Sequence, residues 1–415
     1  VLTLRLARGA HPLILLRRIL VAAASAGTGF LLLCTLGYAM GHPEASAVSV
    51  LRLIWCLVPM AATVYFAVAV ARTDPGTRPR SGLAAIGLGP VRLMGLSMAT
   101  TALSTVFGSL LALLVFLHLR GDLTGMPFDG TASGFLAADQ PLPLPAVLTL
   151  LSVVPITTSL ASALALRPRG GRPQRKKRAG RGTPSADEAE NTPDTQSPGL
   201  PDEAVTPVLP PPPRPAPGGL PWGVAALAAG LAVETRAGGT DHAPGLHLPG
   251  GLADGPAGVL AGWALTALGL ALAGPALAHL CGWMLQSARP GAMRLLAGRG
   301  LQEEARRIGR PLGVVCAVAS GAYAMVAMYA GARPAFGPLT TLGAVLVVGC
   351  ALATLAMAAV QAKQERADTV AALVRLGAPA RVLRTAALLR TGTLVAVFVP
   401  VTWAVAEIAA MPLAR

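Results

Sequence analysis

A chain of 415 residues with 53% hydrophobic and only 13% charged residues does not read as an ordinary soluble domain, in which about 25% of residues carry charge. Its mean hydropathy of +0.60 and its several uncharged apolar runs point instead to a multi-pass membrane protein. The net charge of +15 then marks cytoplasmic loops that meet anionic membrane lipid, and nucleic acid is not an expected partner.

Residues 2–18 mix Leu and Ile with Arg5, Arg8, Arg17 and Arg18, the pattern of an amphipathic helix lying on the cytoplasmic surface. The first span is expected at about 19–40. It has no small-residue cleavage site and more spans follow, so it reads as a span and not as a cleaved signal. The second covers about 51–71, with Pro59 as a kink, and a basic loop follows at 72–92. The third covers about 94–117. Residues 118–143 form a loop with three Asp and no Lys, and the fourth span covers about 144–166. Residues 167–219 open with a Lys/Arg run and close with PVLPPPPRPAPGG, a composition that forms no core and reads as a cytoplasmic linker.

A fifth, short span is expected at 220–233, because without that crossing the basic linker and the basic loop at 286–310 would fall on opposite sides of the membrane. The sixth covers about 257–285, the seventh 311–331, the eighth 337–360 and the ninth 386–406. Of the 34 Lys and Arg residues, 29 fall on one side of this arrangement. That asymmetry puts the N-terminus inside the cell and the C-terminus outside. The fold class is thus all-α and polytopic, with about nine spans.

One loop is patterned. Residues 361–385 read QAKQERADTVAALVRLGAPARVLRT. Val370, Leu373, Val374 and Leu376 recur at helical spacing, with Arg366 and Arg375 off that stripe. Gly377 suits the end of one helix and Pro379 the start of the next. Arg381 follows, completing an apolar bump with a basic rim. A weaker copy lies 288 residues upstream: Leu83, Ile86, Leu88, Gly89, Pro90 and Arg92 repeat the order apolar helix, Leu-Gly, Pro, Arg. Arg17-Arg18-Ile19 and Arg306-Arg307-Ile308 repeat at an offset of 289. Two landmarks at offsets of 288 and 289 divide the chain into a first unit (1–166), a linker (167–219), an inserted helix pair (220–288) and a second unit (289–415) parallel to the first. The second unit has three spans where the first has four.

Chemistry is sparse. The expected span interiors hold no Asp, Glu or Lys, Arg52 and Arg390 lie near span ends, and His279 reads as a packed residue. The five cysteines all lie in apolar runs without a C-x-x-C pair, which suggests neither a zinc site nor a disulfide framework. No HExxH, GxSxG or GxxxxGK[ST] motif occurs, so no catalytic, metal or cofactor-binding residue is assigned. Gly37/Gly41, Gly258/Gly262 and Gly309/Gly313 have the spacing of close helix contacts. The two patterned loops read best as docking knobs for a cytoplasmic partner that is itself a dimer.

The stretch from Gln364 to Arg384, and more weakly Arg80 to Arg92, resembles the cytoplasmic loop of FtsX-like permeases, the membrane subunits of ABC transporters in the MacB and bacitracin-export group. The resemblance covers both units. It implies ten spans, a separate cytoplasmic ABC ATPase dimer as partner, no cofactor in this chain, and loops that carry nucleotide-driven motion into the membrane. It also implies a large extracellular domain, whereas every exterior loop here is short. The expected function is the permease subunit of an ABC transporter, coupling ATP hydrolysis by the separate ATPase to export or membrane clearance of a lipophilic molecule or peptide. The alternatives are a non-transport signalling subunit and a secondary carrier.

Overall fold

The structure is a computed structural model that describes residues 12–73, 90–123, 130, 132–134, 136–167, 218–237, 245–248, 252–287, 291–328, 337–377 and 379–411. Most of these residues are helical. The helices are α1 (Pro12–Gly41), α2 (Ser46–Trp55), α3 (Leu57–Thr73), α4 (Pro90–Arg120), α5 (Leu144–Leu166), α6 (Leu220–Ala237), α7 (Ala257–Ser287), α8 (Ala292–Met328), α9 (Pro338–Arg375) and α10 (Ala380–Ala410). Between α6 and α7, strands β1 (Gly245–Leu248) and β2 (Leu252–Pro256) pair as a small antiparallel hairpin. Eight helical segments are long and apolar enough to cross a bilayer, α2 and α3 counting together as one. This is an all-α polytopic membrane protein. Helix α6 is formed but is not among the eight.

The helices differ from the expected spans at their ends. Residues 12–18 are not a separate surface helix; they open α1 and run on without a break, while 2–11 lie outside the described residues. The basic segment 292–310 is likewise the first half of α8, and the seventh span continues from it through Pro311. Helix α9 runs 38 residues, from the eighth span on into the patterned loop, where it ends at Arg375. The second span breaks at Cys56, between α2 and α3. Pro59 explains the break, since its ring crowds the carbonyl four residues back, at Trp55.

In the first half of the chain, α1 packs lengthwise on α4 and also meets α3 and α5, while α5 covers α3 and α4. The seam between these helices is lined with hydroxyls. Ser25 Oγ donates to Thr105 O (2.8 Å), and the Thr28 and Thr63 hydroxyls meet at 2.8 Å. Thr28, Thr63, Thr105 and Thr158 are all fully buried. Thr28 and Thr158 also donate to the carbonyl one turn back in their own helices. These hydroxyls therefore fasten neighbouring helices while bonding to carbonyls of their own helices or the next.

The second half is fastened by close backbone contact instead. Helix α7 lies between α6 and α8, and glycines line both contacts. A Cβ on Gly269 would fall 2.6 Å from Leu227 N of α6, and one on Gly309 would fall 2.7 Å from Pro275 N of α7. Only residues without side chains let the helices approach so closely. Gly262, Gly309 and Gly313, singled out by their spacing, all sit at such contacts. All five cysteines are buried and unpaired, in keeping with packing roles.

Candidate functional site

Helix α9 touches both halves. Leu346, Cys350, Ala353 and Met357 pack against Val21 and Ala24 of α1 and Phe66 and Ala67 of α3. Further along, Glu365 and Arg366 turn to α8 instead. The Nε and Nη2 of Arg366 each meet one oxygen of Glu304, and Arg307 pairs with Glu365. The two ion pairs have opposite polarity, so each helix contributes one acid and one base. Arg366, expected on the exposed basic rim, is half-buried in this clamp.

The other flank of α8 holds the start of α10. Arg390 lies across Gly300, where any side chain would collide with its guanidinium, and donates to Leu296 O (3.0 Å). Thr385 Oγ1 donates to Met293 Sδ (3.3 Å). The first half of α8 is thus a post between the end of α9 and the start of α10, which make little contact with each other.

The patterned loop is a helical hairpin tip set on this frame. Arg375 ends α9, and Gly377 adopts a φ of +85°, the left-handed conformation that Gly tolerates best. Gly377 N donates to Val374 O (3.0 Å), and Pro379 caps α10, one position before the first helical residue. Leu376 is 84% exposed and Val374 52%, with Val370 also exposed and Leu373 half-buried. Arg375 and Arg381 flank them and are exposed. The expected residues of this copy therefore form one surface knob. In the upstream copy, Leu83, Ile86, Leu88 and Gly89 lie outside the described residues; Pro90 begins α4, and Arg92 is in its first turn.

A similar tie occurs beside the upstream copy. Arg17, near the start of α1, is buried and its Nη1 donates to Thr73 O at the end of α3 (3.3 Å). Arg307, one position along in the 289-residue register, ties α8 to α9 through Glu365.

One ionisable group went unforeseen. The expected fifth span ends at Val233, just short of a charge. The helix continues to Ala237 and buries Glu234 completely against α7. Glu234 Oε1 accepts a hydrogen bond from Thr266 Oγ1 (2.9 Å), and Gly262 leaves room for its stem. The signal was present as paired spacings: Gly230-x-x-x-Glu234 on one helix, Gly262-x-x-x-Thr266 on the other. Among the described residues, no group of three His, Cys, Asp or Glu is placed to hold a metal ion.

Compared with known protein families, curated proteins and solved structures, the chain matches none.

Proposed function

We propose that the chain is the membrane-spanning permease subunit of an FtsX-like ABC transporter. A separate cytoplasmic ATPase dimer docks on the Leu373–Arg381 knob and on its upstream counterpart, and α9 carries the ATPase motion into the bilayer. In this reading the N-terminus is cytoplasmic, the C-terminus is extracellular and the protein sits in the cell membrane. The observation that carries the proposal is the course of α9. One continuous helix packs on the first half through Cys350 and Met357, is clamped to the second through Glu365 and Arg366, and ends at an exposed apolar tip. An apolar anchor rimmed by Arg is the form that a protein-docking hot spot takes. In both halves the first helix of the unit packs on the second and third, which hardly touch each other, in keeping with two parallel units.

The test is to look beside the chain's gene for a reading frame with GxxxxGK[ST] and to co-purify its product with the chain. Leu376→Asp, alone and with Leu373→Asp, is expected to abolish the complex while the chain still inserts. Retention of the complex by the double variant overturns the docking site. If no adjacent reading frame carries GxxxxGK[ST] and the wild-type chain holds no ATPase, the transporter reading falls.

A further inference from the structure

We propose that Glu234 is a proton-binding site whose occupancy fastens α6 to α7. The argument rests on the geometry of that contact and is independent of the transporter reading. Glu234 is fully buried, and its two oxygens are served unequally. Oε1 accepts the Thr266 hydroxyl at 2.9 Å, while Oε2 is buried with no hydrogen-bond partner. A carboxylate needs donors for both oxygens, and an ionised one buried with a single neutral donor is strongly disfavoured. A carboxylic acid is the species this site accommodates, because the proton on Oε2 removes the charge.

No described neighbour neutralises the charge in another way. Residues 257–278 of α7 contain no ionisable side chain at all. Helix α10 also touches α6; the acid near its far end, Glu407, is engaged by the Tyr323 hydroxyl at 2.6 Å. In α6 itself, Arg236 follows two positions on and is exposed. Among the described residues, no Lys or Arg forms an ion pair with Glu234.

The surroundings also make the site reversible. Gly230 and Gly262 bring the two backbones together at Glu234, and its side chain fills the space over Gly262 while the helices stay in contact. Loss of the proton therefore favours a state in which α6 and α7 part and water reaches the carboxylate. One proton is released on opening and taken up on closing. For a single linked proton, the opening equilibrium rises about tenfold per pH unit across the window between the two states' titrations.

Infrared titration and amide hydrogen exchange on the purified full chain in lipid nanodiscs test this. The wild-type minus Glu234→Gln spectrum should contain a protonated-carboxyl C=O band at neutral pH that disappears as pH rises. Over the same range, exchange in 220–237 and 257–270 should accelerate in the wild type relative to Glu234→Gln, which stays closed. Thr266→Val, which removes the donor but leaves the carboxyl, should keep the band and the pH-dependence. Absence of the band at neutral pH overturns the proposal. So does identical pH-dependence of exchange in the wild type and Glu234→Gln.

Discussion

Arg366 and Glu304 are 62 positions apart in the chain and meet through two nitrogens and two oxygens. Glu304 is the more buried partner, with 14% of its side chain exposed. Removing the arginine leaves a largely desolvated carboxylate behind. Arg366→Ala should therefore cost about 1–2 kcal/mol of stability, read as a lower denaturant midpoint in detergent. The exchanged pair Arg366→Glu with Glu304→Arg should recover part of that loss. Equal stability of all these forms would show that the clamp contributes nothing.

The turn at the knob depends on backbone conformation alone. A Cβ on Gly377 would meet no atom within 4 Å, yet the residue holds a φ of +85°. Gly377→Ala should cost about 1–2 kcal/mol locally. Amide exchange should accelerate around 372–383 with little change in global unfolding. Unaltered local protection would mean the turn is not held in the left-handed region.

Two glycines of α8 should respond in opposite directions to the same change. At Gly309 a Cβ would press on the backbone of α7, and Gly309→Ala should destabilise by about 1–3 kcal/mol. At Gly321 nothing lies within 4 Å, and Gly321→Ala should stabilise by about 0.5–1 kcal/mol through helix propensity. Thermal unfolding of the two variants side by side checks the contrast.

The hydroxyl seam is open to a double-mutant cycle. Thr28 and Thr63 are fully buried and 2.8 Å apart. Thr28→Val and Thr63→Val should show a coupling of about 0.6 kcal/mol, and no more than about 1.7 kcal/mol. A coupling of zero would leave packing, not hydrogen bonding, as the seam's contribution.

Hydropathy located eight of the crossing segments because burial in lipid requires long uncharged runs, and it placed Leu144–Leu166 at its observed bounds. The same rule hid two things. It ended helices where charge began, although intrahelical hydrogen bonds need no apolar side chains; α8 and α9 accordingly run well past the expected edges. It also treated Glu234 as a terminus, although a carboxyl can be buried where facing glycines and a threonine make room for it. Gly377 and Pro379 were legible because turn chemistry is local. The burial of Arg366 was not, since its partner lies on a different helix and no spacing rule links the two.

Helix α9 has a mechanical consequence. At 1.5 Å per residue, Arg375 stands about 38 Å along the axis from Cys350. If the Cys350 contact serves as a fulcrum, a tilt of about 10° moves the far end by roughly 7 Å, more than one helical turn's rise. The clamp to Glu304 and Arg307 grips the arm between fulcrum and tip, so any stroke applied at the tip must either drag α8 along or break those pairs. Leverage and stiffness are thus set by different residues, and substitution can alter one without the other.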